Sequence, residues 1–285
     1  MVNHLLGGVP MNSSKTIWIT VSTISLVATL LLISGFIYAV KDIVAPAASE
    51  NASEAKHEAK TQEPMGNKSE ITVAAIGDSL AKGTGDDTGD GFVRRAVTLL
   101  QERDGVKVRL LNNLAINGLT TDRLLSKLDE KGVQYVLKRS DIILLSIGGN
   151  DLFRAEQTNH SRNMQDITLR IPSKEEILKV SDTASLRLQT ILGRIHQINP
   201  GAKIIYVGLY NPFADLKQMR EVGNEAVTDW NYRAAKMTSK DNNIMIIPTF
   251  DLFQENIKSY LSSDHFHPNG DGYEQIAERI IQGIQ

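Results

Sequence analysis

The sequence predicts an α/β fold in which a central parallel sheet of five strands carries helices on both faces, preceded by one apolar helix at the N-terminus. Two observations carry this prediction. Five short runs of β-branched and aliphatic residues recur from residue 71 onward, each nearly continuous, as in strands buried on both faces. Helical patterns lie between these runs, and alternation of this kind implies a parallel sheet covered by helices.

The first element is a long apolar stretch near the N-terminus. Residues 16–40 form a run of 25 residues without a charge, bounded by Lys15 and Lys41, with Trp18 and Tyr38 near its two ends. As a helix the run is about 37 Å long, and a bilayer core is about 30 Å thick. Aromatic residues favour the membrane interface. The run therefore predicts a transmembrane signal-anchor helix, with 1–15 as a short cytoplasmic segment and the rest of the chain outside the cell.

Two other interpretations of this stretch remain open. A buried core helix would normally be shorter or carry a polar stripe. A cleaved signal peptide usually has an apolar part of about 7–15 residues, which is shorter than this run, although the small residues at 45–48 loosely resemble a cleavage site. In that case the protein would be secreted.

The next segment, 41–70, is predicted to be a polar flexible linker because it is rich in Ala, Glu, Lys, Ser and Asn and has few large apolar residues. The remaining residues, 71–285, are predicted to form one catalytic domain. The whole chain has a net charge of -2, which argues against a nucleic-acid-binding surface. It has no cysteine, which excludes disulfides, thiolate metal sites and a cysteine nucleophile.

The domain is predicted to alternate strands and helices. The predicted strands are 71–76, 106–111, 141–147, 203–209 and 244–248. The helical patterns between and after them lie around 92–100 and 124–128 and over 186–198, 221–237 and 272–284. In parallel sheets ligands bind beyond the carboxyl ends of the strands, so polar residues that directly follow a strand are candidates for chemistry.

Three strand ends carry such residues. Gly77–Leu80 follows the first strand and places Ser79 at the edge of the sheet, as a nucleophile or as an ordinary helix cap. Asn117 and Gly118 follow the second strand, and a glycine there leaves its N–H free to donate or simply forms a turn. Gly148–Asp151 follows the third strand, where the amide of Asn150 can donate to an oxyanion without carrying charge.

A fourth motif lies near the C-terminus, where Asp264 precedes His267 by three residues. A carboxylate at this spacing can fold back onto the ring, fix its tautomer and stabilise its protonated form. His265 and His267 also form a His-X-His pair, but no further cluster with ligand spacing supports a metal site. His160 and His196 have no such neighbours.

The four motifs, in this order, resemble the sequence blocks of the GDSL, or SGNH, hydrolases, and the resemblance covers 71–285. It implies a three-layer α/β/α sandwich of flavodoxin-like type. It implies Ser79 as nucleophile, His267 as base and Asp264 as its partner, with the N–H groups of Ser79 and Gly118 and the amide of Asn150 as the oxyanion hole. No cofactor or metal is implied.

The resemblance thus predicts a serine esterase or lipase that acts on a small-molecule, lipid or glycan ester, and the apolar run 16–40 predicts that it is attached to the membrane by its N-terminal helix. A deacetylase of cell-wall or other carbohydrate esters, and an inactive acyl-binding protein, are the alternatives. Residues 152–183, with Phe153, Ile167 and Ile171, form a long insertion that is expected either to shape the substrate pocket or to be a mobile loop.

Overall fold

A computed structural model describes residues 13–44, 68–153 and 174–284 of the chain. The chain divides into two compact units, Met1–Thr61 and Gln62–Gln285. Most of the predicted linker and residues 154–173 of the predicted insertion, Ile167 among them, lie outside the described residues, as do His160 and most of the N-terminal segment.

The first unit contains one helix, α1 (Ser13–Val44), within the residues described there. Its segment Trp18–Phe36 is 19 residues long and, judged by length and composition, could cross a membrane. The hydroxyls of Thr23, Thr29 and Ser34 each donate to a backbone carbonyl four residues earlier in the helix. Hydroxyls paired in this way are compatible with an apolar surrounding.

The second unit is built on a parallel sheet of five strands in the order β2-β1-β3-β4-β5. The strands are β1 (Glu70–Gly77), β2 (Lys107–Asn113), β3 (Ile142–Ser146), β4 (Lys203–Val207) and β5 (Ile244–Ile247). This is the flavodoxin-like order, in which the direction of chain progression reverses between β1 and β3. The predicted parallel five-stranded sheet is confirmed.

Helices flank this sheet on both sides. They are α2 (Ser79–Lys82), α3 (Gly91–Asp104), α4 (Thr121–Lys127), α5 (Lys131–Lys138), α6 (Lys174–Ile198), α7 (Lys217–Thr238), α8 (Phe250–Tyr260) and α9 (Gly270–Gly283). A helical turn at 149–153 follows β3.

Two apolar cores, one on each face of the sheet, give the molecule three layers. Ile143 and Leu145 of β3 pack with α4, α5, α6 and α7, while Leu144 packs with α3, α8 and α9 on the opposite face. Because successive side chains of a strand point to opposite faces, a strand buried on both sides must be apolar at every position. The runs that form β1, β3 and β4 are nearly continuous in apolar residues, as this requires, and the three-layer sandwich is confirmed.

Several boundaries differ from those expected. Strand β2 continues through Asn112 and Asn113, which pair with Ala74 and Ala75 beyond an irregularity in β1. Helix α6 begins at Lys174, so residues 174–183 of the predicted insertion are helical and do not form a loop. Helices α5 and α8 were not expected from the sequence.

Candidate active site

The turn that carries Ser79 begins at the last residue of β1. Gly77 has a φ of 138°, and a Cβ built there would lie 1.9 Å from the carbonyl oxygen of Ser146 on the neighbouring strand β3. Only glycine allows β1 and β3 to approach this closely at that backbone angle. Ser79 is the first residue of α2 and is buried. The N-cap of α2 is Asp78, so Ser79 does not serve as the helix cap.

Asp78 fastens this turn to β3. Its Oδ1 accepts hydrogen bonds from the Leu80 N–H at 3.1 Å and from the Ser146 hydroxyl at 2.7 Å. The Ser146 Oγ in turn accepts from the Ala81 N–H at 3.0 Å. Burial raises the pKa of Asp78, although the hydrogen bonds from Ser146 and Leu80 work against this. Asp78 therefore positions the turn, whereas the Ser79 hydroxyl has His267 as its hydrogen-bond partner.

The loop between α8 and α9 brings His267 to Ser79. The Nε2 of His267 lies 2.7 Å from the Ser79 Oγ, and its Nδ1 lies 2.6 Å from the Oδ2 of Asp264. The structure thus joins the three residues that the sequence proposed as a catalytic set, although Ser79 and His267 are 188 residues apart in the chain.

Asp264 accepts a set of hydrogen bonds that fixes its charge. Its Oδ1 accepts from the backbone N–H groups of Phe266 and His267, both at 2.9 Å, and from the Ser262 hydroxyl at 2.7 Å. Partial burial raises the pKa of Asp264, but the hydrogen bonds from the His267 ring and backbone, Ser262 and Phe266 outweigh it, so that the pKa lies well below its usual range. An ionised carboxylate only accepts, so His267 Nδ1 must carry the proton and Nε2 faces Ser79 as the acceptor.

The sequence predicted the backbone N–H groups of Ser79 and Gly118 as oxyanion donors, and Gly118 lies in a tight turn after β2. The turn at 116–119 is closed by a hydrogen bond from the Leu119 N–H to the Ile116 carbonyl at 3.1 Å, and Gly118 has a φ of 71° within it. Within the part of the chain that the structure describes, no turn or loop hydrogen bond is donated by the N–H of Gly118 or by the N–H of Ser79 at the start of α2. Both groups remain able to bind an oxyanion.

Asn150 is tied to the same turn. It is buried, and its Nδ2 donates to the carbonyl of Leu119 at 3.0 Å. The neighbouring Asp151 accepts from the Thr121 N–H at 3.0 Å and the Thr121 hydroxyl at 2.6 Å, which holds the start of α4. The end of β3 therefore fixes the position of the Gly118 turn.

Three supporting residues were not expected from the sequence. Ser146 holds Asp78, as described above. The Tyr210 hydroxyl donates to the Phe266 carbonyl at 2.7 Å, next to His267. The Thr84 hydroxyl donates to Asn117 Oδ1 at 3.0 Å, while the Thr84 N–H donates to the Ser79 carbonyl at 3.1 Å. No local spacing signals the side-chain contacts of these three residues, because their partners are 33 to 68 residues away.

A small pocket opens beside Ser79, with a volume of about 40 Å³. Asn150 and His267 border it, and the rest of its lining is largely apolar. The apolar side chains are Leu80, Phe153, Leu209, Tyr210, Pro212 and Phe266.

The other two histidines among the described residues, His265 and His196, make no hydrogen bond to Ser79. His265 is exposed and has a φ of 51°, while His196 lies beside Asp241, with its Nδ1 3.1 Å from the carboxylate. In the ranges 13–44, 68–153 and 174–284 no group of three or more histidine and carboxylate side chains is placed to hold a metal ion.

Comparison with known proteins places this site in a family. Residues 75–275 match the GDSL-like Lipase/Acylhydrolase family. The chain is 37% identical over 240 residues to the uncharacterized protein YpmR of Bacillus subtilis, covering 83% of this chain and 88% of that protein. It is 29% identical over 217 residues to the spore germination lipase LipC of Bacillus licheniformis, covering 74% and 94% of the two chains.

A solved structure agrees with this assignment. The lipase Lip_vut3 from a goat rumen metagenome superimposes with a TM-score of 0.64 at 26% identity, over 74% of this chain and 96% of that one. The family match spans well over half of the chain and includes Ser79, Gly118, Asn150, Asp264 and His267. The chain therefore belongs to the GDSL-like lipase/acylhydrolase family, the GDSL or SGNH hydrolases.

Proposed function

We propose that this protein is a serine hydrolase that cleaves carboxylic esters through an acyl-enzyme on Ser79. The observation that carries the proposal is the continuous hydrogen-bonded chain from Asp264 through His267 to the Ser79 hydroxyl, with distances of 2.6 and 2.7 Å. A nucleophile within hydrogen-bonding reach of a base, which a third group orients, is the arrangement that covalent catalysis requires.

In the first step the Ser79 Oγ attacks the ester carbonyl carbon while its proton passes to His267 Nε2. The positive charge that forms on the ring is stabilised by Asp264, whose lowered pKa keeps it ionised. The bond between the carbonyl carbon and the alcohol oxygen then breaks, and the proton on Nε2 passes to the leaving alkoxide. The products of this step are a free alcohol and the acyl group on Ser79.

The negative charge of the tetrahedral intermediate falls on the former carbonyl oxygen. We assign its stabilisation to the N–H groups of Ser79 and Gly118 and to the amide of Asn150. These groups come from the ends of β1, β2 and β3, and preorganised donors of this kind need no rearrangement when the charge develops. In the second step water attacks the acyl carbon while His267 Nε2 takes its proton. The bond between this carbon and the Ser79 Oγ then breaks, the proton passes from Nε2 back to the Oγ, and the carboxylic acid leaves.

Active-site labelling tests the nucleophile. The detergent-solubilised full chain should react with a fluorophosphonate probe and hydrolyse a soluble aryl ester, and Ser79→Ala should lose both activities. Ser239→Ala, which changes an exposed serine at the C-terminal end of α7, should keep both. Labelling that persists in Ser79→Ala would overturn the assignment. Labelling without turnover of any ester would favour an acyl-binding protein instead.

We further propose that α1 anchors the protein in a membrane, with 1–15 in the cytoplasm, 16–40 as the span, 41–70 as a flexible linker and 71–285 as the hydrolase domain outside. The apolar length of α1 supports this proposal. The full chain should sediment with membranes, and protease added to intact cells should remove the hydrolase domain. A shortened protein released into the medium would favour cleavage near Ala47, and a protease-resistant domain would contradict the orientation.

A further inference from the structure

We infer that the site acts on esters of short acyl groups, acetyl or propionyl, and that Phe153 sets this limit. The inference rests on the proposed esterase function. Its starting point is the pocket beside Ser79, which has a volume of about 40 Å³. Since about 10–15 Å³ is needed to hold one water molecule, the sheltered part of this partly open pocket holds about three non-hydrogen atoms without rearrangement. An acetyl group has three, and a propionyl group has four.

The part of the ester that enters this pocket follows from its size and chemistry. The alcohol of a glyceride or glycan is far larger than the pocket, and it must leave past His267 Nε2 towards solvent. The acyl group stays on Ser79 until water releases it, so it is the part that needs a closed place beside the Ser79 Oγ. An apolar lining suits an alkyl chain, because burying each methylene contributes about 0.8 kcal/mol.

Phe153 lines the pocket and has little freedom to move. Its side chain is 1% exposed and packs edge-to-face on Phe213, with ring centroids 5.6 Å apart. Phe213 in turn packs on Phe266 at 5.9 Å, and Phe266 lies perpendicular to the His267 ring at 5.0 Å. The wall of the pocket is thus part of the packing that positions the catalytic histidine.

The opposite wall is fixed as well. The Tyr210 ring stacks on Phe253 with centroids 3.9 Å apart, and its hydroxyl donates to the Phe266 carbonyl at 2.7 Å. Close-packed interiors do not yield to one extra methylene without cost. A longer acyl chain can enter only by displacing these rings, and their displacement also moves the His267 loop. We therefore expect longer chains to lower kcat as well as to raise KM.

The test is a series of p-nitrophenyl esters, from acetate to octanoate, hydrolysed by the full chain in detergent below the solubility limit of each ester. We expect kcat/KM to be highest for acetate or propionate and to fall at least tenfold by hexanoate. A single methylene in an apolar pocket can change this ratio between substrates by about 10–200-fold. A value that rises steadily to octanoate would overturn the inference while leaving the esterase function intact. Hydrolysis of no ester, with no Ser79-dependent labelling, would overturn both.

Phe153→Ala tests whether Phe153 sets the limit on acyl length. Removing the ring should move the maximum of kcat/KM in the series to butyrate or a longer ester. The value for hexanoate should rise by a larger factor than the value for acetate falls. Phe92→Ala is the matched control, because Phe92 is equally buried on the other face of the sheet, where it packs near Tyr273. It should lower stability and leave the order of the esters unchanged. If Phe153→Ala does not fold, Phe153→Leu makes a smaller opening, and an unchanged order in that variant would overturn the role of Phe153.

Discussion

The two halves of the candidate site are held in place by different means. Ser79 and Asp78 are 6% and 4% exposed and lie at the end of a strand in the middle of the sheet. The His267 side chain is 16% exposed and that of Asp264 is 44% exposed, in a loop between two helices at the surface. The Ser79 half is held by burial in the sheet and by the hydrogen bonds of Asp78 to β3. The His267 half is held mainly by hydrogen bonds within its own loop, with Phe266 packed beside the His267 ring.

This difference indicates how each half responds to change. In the buried half the groups that place Ser79 also join β1 to β3, so a substitution there should damage the fold. In the loop the hydrogen bonds to Asp264 join residues at most three positions apart. A substitution there should damage catalysis and leave the fold in place. The predictions that follow test this separation, from the largest expected effect to the smallest.

The largest effect is expected for Gly77→Ala in the buried half. The new Cβ would lie 1.9 Å from the Ser146 carbonyl oxygen, and the φ of 138° suits only glycine. We expect a loss of more than about 4 kcal/mol in the free energy of unfolding, seen as low soluble yield or an early urea midpoint. Gly149→Ala is the control, because a Cβ there meets nothing within 4 Å. Similar stabilities for the two variants would contradict the close approach of β1 and β3.

In the loop half, Asp264→Asn should lower kcat by about 10⁴ while the protein stays folded. An amide in place of the carboxylate can favour the wrong tautomer of His267 and no longer stabilises its protonated form; the magnitude is that of the same change in a serine protease triad. Steady-state kinetics on an aryl ester and circular dichroism measure the two effects. Full activity in this variant would remove Asp264 from the catalytic set, and unfolding would contradict the separation of the two halves.

Asn150 lies at the boundary between the halves, and Asn150→Ala should affect both properties. We expect kcat to fall by about 10²–10³ with little change in KM, the effect of removing one oxyanion donor. Loss of the hydrogen bond to the Leu119 carbonyl should also cost about 1–3 kcal/mol of stability. Asn117→Ala is the control, because it removes only the acceptor of the Thr84 hydroxyl. It should lower kcat by less than about tenfold, which is less than the loss of one oxyanion donor. A rise in KM alone for Asn150→Ala would make Asn150 a substrate-binding residue.

A pH-dependent effect is expected for Asp78→Asn. Burial raises the pKa of Asp78 in the folded protein, so the folded state keeps its proton to a higher pH than the unfolded chain does. The stability that this carboxyl contributes is present below its unfolded pKa and is lost as the pH rises through the folded value. The Tm difference between Asp78→Asn and the wild type should therefore become more favourable to the variant from pH 4 to pH 8. A difference that is constant with pH would contradict the raised pKa.

The smallest effect is expected for His265, whose ring makes no contact with Ser79 or Asp264 although it lies between Asp264 and His267. His265→Asn should keep kcat within about threefold and leave Tm equal or slightly higher, because asparagine tolerates the φ of 51° better than most residues. His265→Ala should also remain active. Loss of activity in His265→Ala, with activity retained in His267→Ala, would show that the wrong histidine has been assigned.

The sequence predicted a strand or a contact wherever the same physical requirement, such as burial, acts on residues that are neighbours in the chain. Strands β1, β3 and β4 are buried on both faces, so their continuous apolar runs located them within a few residues. Strand β2 pairs only with β1 at the edge of the sheet, and its polar end at Asn112 and Asn113 hid its true length. The Asp264 and His267 pair could be recognised because the contact spans three residues.

Hydrogen bonds that hold the candidate site from distant parts of the chain could not be predicted in this way. Ser146 is 68 residues from Asp78, and Tyr210 is 56 residues from Phe266, so no spacing rule connects them. Helix α8 was also missed. Its apolar face is short, with Phe253 and Ile257 as its buried residues, and the backbone at Asn256 departs from helical geometry. These features depend on the packed sheet, which places distant segments against each other.

The separation of 188 residues between Ser79 and His267 has a consequence for synthesis. At about 5–20 residues per second, the ribosome reaches His267 roughly 10–40 s after Ser79. During that interval the turn that carries Ser79 can form, but its proposed base, His267, does not yet exist. Strand β5 and helices α8 and α9, which bring the histidine loop into position, are all added after residue 243. If Ser79 and His267 act together as proposed, a nascent chain cannot hydrolyse esters before His267 has been made, and a product truncated before residue 267 should not attack esters in the cell that makes it.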